Sequence, residues 1–169
     1  MKCGLYKQMN KSIRNLIFTW SIILLSIVLT IIPLPDLINS FRLPWLMMTV
    51  IYFSIFNVAL IGVFSAWLSG LILDLMAGGL MGENAMILSV ISYLSYRFRF
   101  QIRVYPIWQL MVVVLLFLSL GELLSLWIQG VSGTMNLSVI GWINISIAVI
   151  IWPIFMGFIQ KMESVFLEQ

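Results

Sequence analysis

The stretch LPWLMMTVIYFSIFNVALIGVFSAWLSGLIL, residues 43–73, carries no charge and lies between Arg42 and Asp74. A helix needs about 20 apolar residues to cross the hydrocarbon core of a bilayer, so this stretch is long for one span and short for two. The residues from Asn57 to Gly62 offer a turn in the middle. Two helices would have about 15–17 residues each and would need a thinned bilayer or burial against neighbours. Whether one or two helices form here decides the number of spans.

Charge-free segments of span length continue on both sides of this stretch. Between Arg14 and Asp36 there are 21 uncharged residues, which predict a retained membrane anchor rather than a signal peptide, because no small-residue cleavage site follows. Residues 129–136 are predicted to form a loop from their composition. With two helices over 43–73, a cytoplasmic tail over residues 1–14 precedes spans at about 15–34, 44–58, 60–77, 84–98, 104–128 and 137–159.

The composition is that of an integral membrane protein. Hydrophobic residues make up 62% of the chain and charged residues 9%, whereas an ordinary soluble domain is about 45–50% apolar and about 25% charged. Open strands cannot exist in lipid, so the fold class is all-α: one domain, a compact polytopic bundle. There is no histidine and one cysteine, which excludes histidine-based catalytic triads and the usual zinc sites. We therefore predict no enzyme activity, no cofactor and no metal.

The distribution of basic residues decides between five and six spans. Cytoplasmic loops of membrane proteins are enriched in lysine and arginine. One helix over 43–73 gives a bias of five basic residues against four, whereas two helices put eight of nine inside and only Arg42 outside. The sequence therefore predicts six transmembrane helices with both termini cytoplasmic. The inner residues are Lys2, Lys7, Lys11, Arg14, Arg97, Arg99, Arg103 and Lys161.

Three of these arginines, Arg97, Arg99 and Arg103, form a basic cluster between the fourth and fifth spans. We expect them to fix the topology and to contact anionic headgroups of the lipid bilayer. A cytoplasmic protein partner is the alternative. Topology and headgroup contacts account for the net charge of +3, so we predict that the chain does not bind nucleic acid.

Asp74 lies in a row of small residues near the outer end of the third span. Gly70, Asp74, Gly78 and Gly82 are four residues apart, so at least the first three share one helical stripe. Small residues at this spacing let another helix approach closely. An ionised aspartate in hydrocarbon costs about 2.5–3.5 kcal/mol, which favours a carboxylate that is buried or faces a partner. The alternative is that Asp74 only ends the helix where water reaches it.

Two glutamates are further candidates. Glu122 interrupts an apolar run and should face the bundle interior or a partner helix, because lipid would not solvate it. The alternative is a structural hydrogen bond to Ser119, Ser125 or Gln129, or to a backbone group of another helix. Glu83 is expected to begin the fourth helix, where the helix dipole favours a carboxylate.

The predicted outer loop after the first span is unusually rich in proline. The prolines restrict the chain at and before their own positions. Asp36 and Arg42 could pair within this loop, although an exposed pair contributes little to stability. Both residues are candidates for contact with a partner.

Three groups of residues make the chain resemble the MreD family of bacterial rod shape-determining membrane proteins. The first is Pro35-Asp36 with Phe41-Arg42-Leu-Pro44-Trp45, where the commoner pattern has arginine directly before proline. The second is the row from Gly70 to Gly82, followed by the Ala-x-x-x-Ser-x-x-Ser-Tyr segment at 85–93. The third is Trp108-Gln109 in the fifth span with Trp152-Pro153 in the sixth. Together they extend over most of the chain.

The resemblance implies a non-catalytic scaffold or regulator in the bacterial inner (cytoplasmic) membrane that maintains rod cell shape. Such proteins work with MreC and the actin-like MreB, in a complex with a SEDS glycosyltransferase and a penicillin-binding transpeptidase that builds side-wall peptidoglycan. The resemblance also implies a fold similar to the substrate-binding S components of energy-coupling-factor transporters. A small-molecule binding or transport subunit is therefore the alternative function. The predicted partner-binding residues are Gly70, Asp74, Gly78, Gly82, Glu122, Asp36 and Arg42.

Overall fold

A computed structural model describes residues 2–31, 43–57, 62–133 and 139–167 of the chain. These residues form helices joined by turns, and no strand occurs among them. The predicted all-α class is therefore confirmed. The six helices are α1 (Lys2–Ile31), α2 (Trp45–Phe56), α3 (Val63–Ala77), α4 (Glu83–Ile102), α5 (Ile107–Ser132) and α6 (Val139–Leu167).

The uncharged stretch over residues 43–73 contributes to two helices, α2 and α3. Helix α2 ends at Phe56, and α3 begins at Val63, directly after Gly62, whose backbone is extended (φ −88°, ψ 172°). The 12 residues of α2 give a length of about 18 Å. This is well short of the roughly 30 Å hydrocarbon core, so α2 depends on its neighbours for burial.

Helix α2 lies at the centre of the bundle. Nine of its 12 residues are buried, and it packs against α1, α4 and α6. Two pairs of hydroxyl groups join it to its neighbours: Ser26 of α1 lies 2.7 Å from Thr49, and Ser54 lies 3.1 Å from Ser92 of α4. Hydrogen bonds of this kind between helices satisfy polar groups that lipid cannot solvate.

Three helices of the described part of the chain are long and apolar enough to cross a membrane. The qualifying segments are Arg14–Ile31 of α1, Ile107–Ser132 of α5 and Ile140–Val165 of α6. Many of their large apolar side chains face outward, among them Leu24, Leu116 and Ile150, as expected for a surface in contact with lipid. The passage of α2, α3 and α4 through the bilayer, and hence the count of six spans, stays a prediction.

Helix α5 is longer than predicted at its C-terminal end. It continues to Ser132 and ends at Gly133, which has a left-handed φ of 74°, so the predicted loop over 129–136 begins too early. Gln129 is held inside the helix because its side chain hydrogen-bonds to Ser125 and to Glu83 of α4. Tertiary contact thus overrides the loop-like composition of this segment.

Candidate functional site

The polar residues predicted to matter gather at the end of the bundle where α3 is connected to α4. Helix α3 ends at Ala77 and α4 begins at Glu83. The flanking residues, Gly78 and Gly82, both have positive φ angles, 67° and 94°. Left-handed backbone suits glycine because it has no Cβ. The residues between them form a tight connection that brings the last turn of α3 beside the first turn of α4.

Asp74 acts as the N-terminal cap of α4, although it belongs to α3. Its Oδ2 accepts hydrogen bonds from the backbone N–H of Gly82 (3.0 Å) and Ala85 (3.3 Å). Its Oδ1 accepts from the backbone N–H and the side-chain amide of Asn84, at 3.1 and 2.8 Å. The first N–H groups of a helix have no partner within it, and its dipole favours an anion there. Asp74 is 3% exposed, so its carboxylate is buried and used within the chain.

Gly70 allows α3 and α4 to approach at backbone distance. A Cβ atom placed on Gly70 would lie 2.6 Å from Cα of Ala85 and 2.7 Å from the carbonyl oxygen of Asn84. The stripe of Gly70 and Asp74 therefore faces the first turn of α4 in this same chain. By contrast, Gly78 and Gly82 have open space around them and shape the turn.

Glu83 begins α4, but its side chain bonds to another helix. Its Oε1 accepts hydrogen bonds from the hydroxyl of Ser125 and, at 2.9 Å, from the side-chain amide of Gln129, both on α5. The helix-start prediction is thus confirmed, while the carboxylate connects α4 to α5. Ser125 and Gln129, which we considered as partners of Glu122, are engaged here.

Glu122 faces α6 at Gly141. A Cβ atom on Gly141 would overlap the Glu122 carboxylate, so the absence of a side chain there makes room for it. The carboxylate also lines a cavity of about 90 Å³, together with Asn144 of α6 and Met47 of α2. Glu122 is partly buried and faces a neighbouring helix of the same chain; its role in binding a partner stays a prediction.

We expect Gly141→Ala to lower the free energy of unfolding of the purified protein by about 1 kcal/mol, because the added methyl group overlaps the Glu122 carboxylate and displaces it. Gly157→Ala is the control in the same helix, since nothing lies within 4 Å of its added Cβ. Thermal unfolding in detergent measures both. Adding Glu122→Ala should remove most of the cost of Gly141→Ala, and strictly additive effects would contradict the contact.

The basic cluster lies at the opposite end of α4 and consists of three differently held arginines. Arg103 donates from Nε to the carbonyl oxygen of Ile55 (2.7 Å) and from Nη2 to that of Phe56 (2.5 Å), capping the C-terminus of α2. Arg99 lies over the rings of Tyr96 and Phe100, at 4.6 and 4.5 Å. Arg97 is exposed.

Glu163 of α6 is a contact that the sequence did not single out. It accepts hydrogen bonds from the side-chain amide of Asn57 and, at 3.3 Å, from the hydroxyl of Tyr52. In the sequence, the only sign of this contact was a carboxylate close to Lys161 after the last span. Such a carboxylate is ordinary at a polar helix end and names no partner.

Two predicted site residues, Asp36 and Arg42, lie outside the described residues.

The described acidic residues do not converge on a metal site. No group of three or more potential histidine, cysteine, aspartate or glutamate ligands occurs among the residues that the structure describes. Asp74, Glu83 and Glu163 instead hold helices together. These carboxylates are therefore suited to holding neighbouring helices together at the two ends of the bundle.

The sequence model of a protein family, described as rod shape-determining protein MreD, matches residues 10–162, nearly the whole chain. The chain belongs to the MreD family. It is therefore a membrane protein of a family that determines rod shape and is not known as an enzyme family. No solved structure matches the chain, so the similarity of this MreD protein to transporter S components stays a prediction.

Proposed function

We propose that this MreD protein is a non-catalytic scaffold of the cell-elongation complex that links MreC and MreB to side-wall peptidoglycan synthesis. The observation that supports this most is the family match over residues 10–162. We propose six spans with both termini in the cytoplasm, with MreC as the direct partner. MreB, the SEDS glycosyltransferase and the penicillin-binding transpeptidase would belong to the same complex.

The burial of the residues in the predicted partner site supports a narrower proposal for the contact with MreC. Gly70 and Asp74 are buried against α4, whereas Gly78 and Gly79 at the turn are exposed. We propose that MreC contacts the exposed turn, and that Gly70 and Asp74 contribute by holding that turn in place. In the predicted orientation this turn faces the periplasm.

The cavity beside Glu122 does not favour a small-molecule transport role as a second proposal. The cavity beside Glu122 has a volume of about 90 Å³, whereas pockets for small ligands usually have about 300–1,000 Å³. It could hold a few water molecules beside the carboxylate. The scaffold role is thus the function that the described residues support best.

The test is complementation in a rod-shaped bacterium depleted of its own MreD, with the chain and its cognate MreC expressed together. We expect rod shape to return, and tagged MreD to capture MreC from detergent-solubilised membranes. MreC expressed without MreD is the control for shape, and an unrelated multi-pass protein carrying the same tag is the control for capture. Round cells despite normal amounts of both proteins in the membrane would reject the proposal.

A further inference from the structure

Glu122 has no partner for its carboxylate within the described part of the chain. It lies inside the α5 segment that is apolar enough to cross a membrane, about 15 Å before the end of that helix. No described residue donates a hydrogen bond to it, and Ser125 and Gln129 bond to Glu83 instead. An ionised carboxylate within a span is costly unless it is paired. Glu122 therefore lacks the partner that its position requires.

The charges around Glu122 strengthen this requirement. The Glu83 carboxylate is close enough to repel it, and Asp74 lies at the same end of the bundle. The basic side chains that the structure describes belong to the opposite end, where the basic cluster lies; they are Arg14, Arg97, Arg99, Arg103 and Lys161. The described residues thus leave an excess of negative charge beside Glu122, which favours a positively charged ligand.

The cavity beside Glu122 has the size of the end of one side chain. Its volume is about 90 Å³, which corresponds to about three water molecules. Pro44, Met47 and Asn144 line it and are themselves half-buried, so the cavity reaches the surface of the bundle. A metal ion fits less well, because no group of three or more potential ligands occurs among the described residues. A guanidinium or ammonium group suits both the volume and the charge.

We propose that this cavity binds the guanidinium or ammonium group of a basic side chain, which pairs with the Glu122 carboxylate. A carboxylate accepts two parallel hydrogen bonds from a guanidinium, and such charge-assisted bonds are stronger than neutral ones. The group has two sources: Arg42 of this chain, which stands two residues before the cavity-lining Pro44, or a docked protein. The site itself does not depend on the scaffold role, which enters only with the second source.

A double-substitution cycle in the purified full chain tests the first source. If Arg42 supplies the group, Glu122→Gln and Arg42→Gln should each lower the melting temperature in detergent by about 3–6 °C. The double variant should then lose no more than either single variant. Arg97→Gln is the control, because Arg97 is exposed at the opposite end of the bundle, and its effect should add to that of Glu122→Gln.

Capture of MreC tests the second source. If a docked protein supplies the group, Glu122→Gln should leave the melting temperature of the isolated chain unchanged or raise it, because it removes an unpaired charge. Capture of MreC from detergent-solubilised membranes should then fall by about tenfold or more, since one lost charge-assisted hydrogen bond has that effect. Arg97→Gln should keep the capture of the wild type.

An infrared difference spectrum between the wild type and Glu122→Gln shows whether the carboxyl group is ionised. A protonated Glu122 would overturn the proposal, because a neutral acid needs no basic partner. The proposal also fails if Glu122→Gln changes neither measurement, or if its effect adds to that of Arg42→Gln while capture stays unchanged. If the wild type captures no MreC, the scaffold role fails, and additive melting temperatures then reject the site as well.

Discussion

Asp74→Leu should lower the free energy of unfolding by about 3–5 kcal/mol, because a buried N–H group left without an acceptor costs about 1–3 kcal/mol. Three backbone N–H groups at the start of α4, those of Gly82, Asn84 and Ala85, bond to this carboxylate. Leucine supplies no acceptor and removes the negative charge from the helix N-terminus. Thermal unfolding of the purified protein in detergent measures the loss. Leu75→Ala, at the next position of α3 and exposed, should change the stability little.

Asp74→Asn should fall between the wild type and Asp74→Leu. Its carbonyl oxygen still accepts hydrogen bonds, but its amide group points additional N–H donors at the backbone donors of α4. An Asp74→Leu protein as stable as Leu75→Ala would show that the carboxylate does not hold the helix start.

The same two variants separate an indirect role of Asp74 in MreC capture from a direct one. If Asp74 acts by holding the α3–α4 turn, capture per folded molecule should remain near the wild-type value in Asp74→Asn. If Asp74 itself contacts MreC, capture should be lost in Asp74→Asn while the protein remains folded. The structure favours the first result, since the carboxylate is 3% exposed.

Features set by the distribution of charge along the sequence were predictable. The division of residues 43–73 into two helices was predicted from the excess of basic residues on the inner side, and the turn signal at Asn57–Gly62 placed the break. Asp74 was expected to avoid lipid because an ionised carboxylate is costly there, and it is buried against α4. The first prediction depends on the distribution of charge along the whole chain, and the second depends on the cost of a charge within an apolar segment. Neither requires knowing which helices pack together.

The identity of each polar partner was not predictable from spacing. Helical periodicity shows that Gly70 and Asp74 share a face, but it does not show which helix lies opposite. That the opposite helix is α4 of the same chain depends on how the turn at Gly78 and Gly82 folds back. The contact between Glu163 and Asn57 likewise joins residues 106 positions apart, and no local pattern records such a separation.

Gly70→Val should destabilise the protein by about 3 kcal/mol, the upper part of the usual range for overpacking a filled interior. The added Cβ would lie 2.6–2.7 Å from Cα and N of Ala85 and the carbonyl oxygen of Asn84. All three are backbone atoms of the first turn of α4, so no side-chain rotation relieves the clash and the two helices must separate. Gly157→Val is the matched control, because nothing lies within 4 Å of its Cβ.

The clash can be distinguished from an effect on helix propensity. Valine and glycine differ by only a few tenths of a kcal/mol in helix propensity, so Gly157→Val should shift the thermal midpoint little. Adding Ala85→Gly should not rescue Gly70→Val, because it removes only the Ala85 methyl group and leaves the clashing backbone atoms in place. A rescue would mean that side chains, rather than backbones, define the α3–α4 contact. The close approach at Gly70 also holds the Asp74 carboxylate within hydrogen-bonding distance of the N–H groups at the start of α4. If side chains defined the contact instead, Gly70 would not set that distance.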